Sequence, residues 1–527
     1  MEHGVMNILS EWWKKAEAED KIIQFLVVFL TVSLSLDRTV AVSISTGAAL
    51  LYIIYDCMKQ KSLAGFYSPR RDWLGIAVFL FSVLAASVFL GDMGSIHMAL
   101  KYIYWTLPFL LIVYFESRTK VKYAVVAGAM LSLVLSFASV LYLYLHGFGD
   151  AAGRIGAFDA NPNHYAFLLG GFLPVLFCAL SDTKLKAEKT FVVLDGIIIV
   201  MGLFTLWKTG SRGAMGGLFA GAVMILSVFC HLHKNMKLFL KGLLLCVAVS
   251  LVVLIAGIPG GAERLGDKVR LRQLQSCYAM WKDHVVLGIG LNNWESQYST
   301  TYVQAEVIKQ EAARRYEEQK AARKKAIEKR NTKKTKAAGQ KTAKQQQSVK
   351  NAATQTPVAK GEAAKKPVVQ KSTAKEETVK KAAIHKSKAK LTAKQKAAVR
   401  RKRKAAKKEA ARKAAFLNRV LKHEAELPIP HNVVAWFFST TGIVGGIGYL
   451  FFVCYYLWRL YRKVNEEPEN WVAFSGLWTF IAVNFHGLFD AGITNKAAAR
   501  LLYLMLGLAL TYSQYKKKET LTENQNG

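Results

Sequence analysis

An arginine that opens a helix between two glycines is well placed to hold an anion, and this sequence has one in Lys208-Thr209-Gly210-Ser211-Arg212-Gly213-Ala214. Glycine lets another group approach the backbone closely, while the helix N-terminus and the guanidinium both favour negative charge. Guanidinium is also the best fork for phosphate. Arg270 and Arg272 lie on an amphipathic run that continues to Tyr278, Met280 and Trp281. Either could supply a second phosphate contact, and spacing alone does not choose between them. The segment Arg154-Ile-Gly-Ala-Phe-Asp159-Ala-Asn161-Pro162-Asn163-His164 reads as a polar shelf for sugar or phosphate. His431 follows Leu427-Pro428-Ile429-Pro430 and precedes Asn432 at the start of an apolar helix. Imidazole is the usual general base near neutral pH. Each segment also has a plain reading: a capped loop, a headgroup-facing arginine, a solvated cationic face, a helix-cap histidine.

The elements that must position these groups are membrane helices. The chain has 527 residues, 52% of them hydrophobic, yet a formal net charge of +36. The charge is local. The stretch Ala305 to Lys413 holds 36 Lys and Arg against 9 Asp and Glu, three-quarters of the total excess. The rest is apolar runs of Leu, Val, Ile and Phe. A bilayer core takes roughly 20 apolar residues per helix. Twelve spans are predicted near 22–36, 40–57, 73–91, 96–115, 121–145, 164–181, 190–207, 212–231, 238–257, 433–458, 471–489 and 498–515. The expected fold is therefore an all-α polytopic bundle with a large loop between its ninth and tenth spans.

Basic residues give the orientation. With residues 1–21 cytoplasmic, inside loops carry Arg70 and Arg71, Arg118 and Lys120, Lys184 and Lys186, Lys234 and Lys237, and Arg459 and Arg462, and the tail 516–527 adds Lys516, Lys517 and Lys518. The alternate loops are poor in cations until 258–432. All the candidate chemistry then falls on the outer side. Met1 to Lys21 lacks the apolar core of a cleavable signal peptide and reads as an interfacial helix. The six cysteines, Cys57, Cys178, Cys230, Cys246, Cys277 and Cys454, form no C-x-x-C pair. They support neither a zinc site nor a disulfide framework.

The basic insert, residues 305–415, lies in the outer loop. Long loops translocate largely regardless of charge. Its Lys, Ala, Gln, Thr and Glu composition cannot bury a core, so it is expected to be disordered or transiently helical. Residues from Gln304 to Asn331 are good helix formers and could extend as a solvated helix. Facing outward, it points to no nucleic acid. A tolerated spacer is the plain reading, and a phosphate-rich or otherwise anionic surface polymer is the partner that its charge suggests.

Taken in order, Arg154…Asn161-Pro-Asn163, Thr209-Gly-Ser-Arg212-Gly, Trp281…Gly288-Ile-Gly290-Leu-Asn292-Asn293-Trp294 and Pro430-His431-Asn432…Gly442…Gly445 resemble the O-antigen ligase family. The resemblance covers roughly Arg154 to Leu460 apart from the insert. It implies a metal-independent, inverting glycosyltransferase of the bacterial cytoplasmic membrane, with no cofactor and its active site facing the periplasm. The donor would be a glycan on undecaprenyl diphosphate, and the acceptor the lipid A core. By position, Arg212 and one of Arg270 and Arg272 would hold the diphosphate, and His431 would assist the acceptor hydroxyl. Arg154, Asn161, Asn163, Ser211 and Asn432 are further candidates for diphosphate or glycan contacts. The chain departs from the family in having Val285-Val286 where a proline usually precedes the Gly-x-Gly, and in its long insert.

An O-antigen or exopolysaccharide polymerase and a protein O-oligosaccharyltransferase share this pattern, because the acceptor is chosen by cavity shape. A carrier of lipid-linked glycans would be expected to show inverted repeats and charges near the midplane. The sequence has neither.

Overall fold

Lipid offers the backbone no hydrogen-bond partner, so a long apolar run closes its own bonds as a helix. The computed structural model describes residues 18–36, 38–62, 64–66, 70–150, 153–237, 240–244, 266–352, 376–425, 430–490 and 492–526. Helices take up most of them, and no strand occurs among the described residues. The main helices are α1 (Ala18–Ser35), α2 (Thr39–Gln60), α3 (Arg70–Leu90), α4 (Met93–Trp105), α5 (Leu107–Arg118), α6 (Lys122–Leu145), α7 (Pro162–Ala179), α8 (Lys189–Thr209), α9 (Arg212–Leu232) and α10 (Gly266–Asp283). After these come α11 (Ala305–Ala352), α12 (Glu376–Ala425), α13 (Val433–Glu466), α14 (Trp471–Gly487) and α15 (Lys496–Asn526).

Among the described residues, eight helices are long and apolar enough to cross a membrane. They are α2, α3, α4 with α5, α6, α7, α8, α9 and α13. Phe81, Phe89, Leu51 and Val200 point outward from them. Large exposed apolar side chains in such number suit acyl chains rather than water. This is a helical, multi-pass membrane protein. The expected spans 22–36, 471–489 and 498–515 coincide with α1, α14 and α15, and 238–257 lies mostly outside the described residues. So do most of the N-terminal segment 1–21 and the loop residues 258–265 and 426–429.

The chain forms two compact units. The first, Met1–Val303 with Leu427–Gly527, holds the bundle. Glycine sets its closest contacts. Gly213, Gly217 and Gly221 recur every fourth residue on α9, facing α14; a Cβ at Gly217 would stand 2.5 Å from the Ala482 carbonyl oxygen, and one at Gly221 2.3 Å from Trp478 Cδ1. Small residues at that spacing let membrane helices pack backbone to backbone. Trp478 Nε1 adds a bond to the Leu218 carbonyl at 2.9 Å.

One end of the bundle is pinned by ions. Asp182 takes Lys122 Nζ at 2.7 Å and Trp471 Nε1 at 2.8 Å. Burial works to raise the Asp182 carboxyl, but the hydrogen bond and charge of Lys122, the Trp471 indole and the Leu185 amide together outweigh it and hold the group below its usual range. Arg459 pairs with Asp72 at 2.6 Å, both buried. The opposite ends of α6, α7 and α14 carry the candidate chemistry.

The second unit, Gln304–Glu426, consists of α11 and α12 among its described residues. The described residues of the insert are helical, as their Ala, Lys, Arg and Glu content favours. Residues 353–375 lie outside the described residues.

Candidate functional site

The turn from α8 to α9 places Arg212. Gly210 ends α8 in the left-handed region, φ 58°. Ser211 then caps α9, its Oγ accepting from the Ala214 amide at 3.4 Å. Gly213 lets α9 close on α14 here, since a Cβ would lie 2.7 Å from His486 Cδ2. His486 is buried, stacks on Phe167 at 3.7 Å between ring centres, and puts Nε2 3.1 Å from Ser211 Oγ. Arg212 therefore begins its helix beside the C-terminal end of α14.

That end of α14 reaches His431. Four residues after His486 comes Asp490, whose Oδ1 lies 3.3 Å from His431 Nδ1. The carboxylate is 3% exposed and the imidazole 26%. A buried acid on Nδ1 orients the ring and leaves Nε2 for an incoming proton. Asn432 is occupied structurally: its Oδ1 caps α13 at the Ala435 amide, 2.8 Å, and its Nδ2 donates to the Leu488 carbonyl at 3.0 Å. Gly487 and Gly492 let this segment lie against Val433, at 3.0 and 3.3 Å for an added Cβ.

Arg270 separates from Arg272 here. Residues two apart on a helix face nearly opposite ways. Arg272 is buried, while half-buried Arg270 lies near enough for its charge to act on the His486 ring, as do Asp490 and His164. Arg270 is thus the arginine of the pair whose charge reaches this ring.

The loop 153–163 sits behind the same turn. Ile155 N–H donates to the Lys208 carbonyl at 3.0 Å. Arg154 is held by Asp150, Nε to Oδ2 2.7 Å, and by Asn163 Oδ1 at 3.1 Å. Asn161 caps α7 by accepting from the Asn163 amide at 2.9 Å. Lys208 Nζ rests 3.6 Å from the centre of the Tyr144 ring. Arg154, Asn161 and Asn163 form one hydrogen-bonded shelf, with His164 extending it toward His486.

The Gly288-Ile-Gly290 motif has a structural job. α13 breaks at Gly442, φ 62° and ψ −157°. Residues 285–290 run into the break: Ile289 and Gly290 donate to the carbonyls of Ser439 and Thr440 at 3.0 and 2.9 Å, and Ile443 donates to Val285 at 2.8 Å. A Cβ at Gly288 would meet the Thr440 carbonyl carbon at 2.3 Å, and one at Gly442 the Val286 oxygen at 2.2 Å. The groups freed by breaking a helix are thus satisfied by another segment, as apolar surroundings demand. Asn293 Nδ2 then donates to Asp92 Oδ2 at 3.1 Å, and Asp92 caps α4. The hydrogen bond from Ser95 is the main reason that the Asp92 carboxyl sits below its usual range.

Sequence reading named Arg212, Ser211, His431 and the pair Arg270 and Arg272; of these, Ser211 bonds to His486 and His431 lies against Asp490, so both meet the end of α14. It missed His486 and Asp490, which sit at the end of an apolar run. Their signal was two ionisable residues, four apart, closing an apolar helix, where such groups are rare without a role. No protein-family model matches the chain, and no curated protein matches it either.

Proposed function

We propose that the chain is an O-antigen-ligase-like glycosyltransferase that moves a glycan from undecaprenyl diphosphate to an acceptor hydroxyl, on lipid A core, at the outer face of a bacterial cytoplasmic membrane. The observation that carries the reading is the convergence on the end of α14, where Ser211, beside Arg212, bonds to His486 and Asp490 holds His431, with the Arg270 charge acting on the His486 ring. The twelve spans expected from the sequence put that end outside.

In this reading the lipid-linked diphosphate lies between the two guanidinium groups. His431 Nε2 removes the acceptor hydroxyl proton as its oxygen bonds to the anomeric carbon. The bond from that carbon to the phosphate oxygen breaks, and its electron pair leaves with the diphosphate. Attack opposite the leaving group inverts the configuration. Asp490 stabilises the imidazolium, and paired guanidinium groups stabilise the developing charge, the part that a metal plays in other sites. The Ser211–His486 bond holds the first arginine in place.

The test is reconstitution with an undecaprenyl-diphosphate-linked glycan, lipid A core and no divalent metal. A glycosylated lipid A core with inverted linkage is expected. A product made of joined repeats would make the protein a polymerase, a glycosylated peptide an oligosaccharyltransferase, and movement without a covalent product a carrier.

A further inference from the structure

The carboxylates of the helical hairpin are concentrated at one end. Glu317 pairs with Lys413 at 2.9 Å, and Glu409 pairs with Lys320. The Tyr316 and Phe416 rings pack nearby, tilted at 51° with centres 5.7 Å apart. Glu306, Glu311 and Glu318 are engaged along α11 by Lys309, Arg315 and Arg314. These contacts neutralise and zip the end nearest to residues 304 and 426.

Farther out the balance fails. Arg400, Arg401, Lys402, Arg403 and Lys404 are exposed, and none has a carboxylate partner among the described residues. Successive helix residues turn about 100°, so five in a row present cations on every side. Like charges three and four apart also disfavour the helix that carries them. A chain of anions relieves that repulsion, and releases several small counterions at once, as polyelectrolyte binding does.

Two other occupants fit poorly. A helix that lies on a membrane needs a broad apolar face, and this stretch offers Val399 alone. Single-stranded nucleic acid is gripped by stacking on aromatic rings, and the unit's two, Tyr316 and Phe416, pack against each other.

We propose that the hairpin α11–α12 is a docking surface for an acidic polysaccharide, one bearing carboxylate or phosphate at intervals. This rests on the proposed transferase reading, which places the hairpin outside and makes a glycan the substrate. The hairpin then selects acidic glycans by raising their local concentration at a protein to which it is tied at both ends.

The test uses the full-length protein in nanodiscs of zwitterionic lipid, titrated with labelled polygalacturonate and with neutral pullulan. Polygalacturonate should bind, weakening about tenfold or more between 50 and 300 mM salt, and pullulan should not. Replacing residues 400–404 together by glutamine (Arg400→Gln, Arg401→Gln, Lys402→Gln, Arg403→Gln, Lys404→Gln) keeps helix propensity and should weaken binding about fivefold or more. Changing only the three arginines to lysine should leave it intact. Unchanged binding in the glutamine variant overturns the proposal. So does tighter capture of phosphatidylglycerol vesicles or of duplex DNA, which would make the partner a membrane or a nucleic acid. A parallel transfer assay compares acidic with neutral donors, and the wild-type preference for acidic donors should vanish in the glutamine variant. Binding needs no turnover, so polygalacturonate binding without any transfer would remove the transferase reading and leave the docking surface standing.

Discussion

The bundle and the hairpin are both helical, but opposite forces shape them. In the bundle, contacts are decided by shape. Gly217 and Gly221 admit a partner backbone and an indole, and the broken α13 is repaired by an inserted stretch of main chain, residues 285–290. Its buried groups include two close ion pairs, Arg459 with Asp72 and Lys122 with Asp182. In the hairpin there is almost nothing to bury, and charge decides instead. Its ion pairs are mostly exposed, of the kind worth about 1 kcal/mol or less each. The difference teaches that one chain can use the same secondary structure as a precise frame and as a carrier of charge. Substitutions should therefore act on the two regions in different ways.

The largest effect should come from the groups that the frame brings together. His431→Ala and Arg212→Ala should each lower glycan transfer by about a hundredfold or more, while the protein still inserts and melts normally. Transfer by His431→Ala at near the wild-type rate would remove its role as base.

Next comes the frame. Gly217→Val forces atoms into the Ala482 carbonyl and should destabilise the bundle by about 1–3 kcal/mol, seen as a lower Tm in detergent. An unchanged Tm would mean that α9 and α14 do not need their close approach.

A smaller effect is expected at Asp92, where a charged cap meets the loop that carries Asn293. Asp92→Ala should cost about 1 kcal/mol at pH 7. The Asp92 carboxyl is depressed in the folded protein, so its contribution is present above the ordinary carboxylate pKa and lost as pH falls through the folded value. The stability gap between variant and wild type should thus close below about pH 4. Denaturation midpoints at pH 7, 5 and 3 check the sign, and a gap that widens in acid would contradict it.

The smallest effect should follow the most drastic change. Deleting residues 320–403 removes most of the hairpin, yet the bundle's Tm should move little and transfer of a neutral glycan should persist. Loop-closure entropy grows only logarithmically with length, so a shorter connection alters the fold little. Complete loss of transfer would make the hairpin part of the reaction centre and dissolve the division between the two regions.

Much of the frame was legible because apolar length reports directly on membrane helices. The basic insert stood out by composition. Arg212 could be singled out because its glycine neighbours and helix start are local features. His431 stood out through the stiff Pro-Ile-Pro approach. Other parts were hidden. Arg270 and Arg272 are equivalent in composition, and only the rotation of α10 against its neighbours separates them. Asp490 has no meaning as a base orienter until α14 and α13 are laid side by side.

By itself the sequence determined the helices, their apolar faces, the basic tract and the residue types able to grip phosphate or take a proton. Those are properties of short windows: runs, turns and helix starts. Tertiary structure alone decided which of them meet. It joined Ser211 to His486 and His431 to Asp490, and it made Gly288 and Gly442 two halves of one clamp. The reason is physical. These partners lie far apart in the chain, so their contact depends on helix rotation and close packing, which no local pattern encodes.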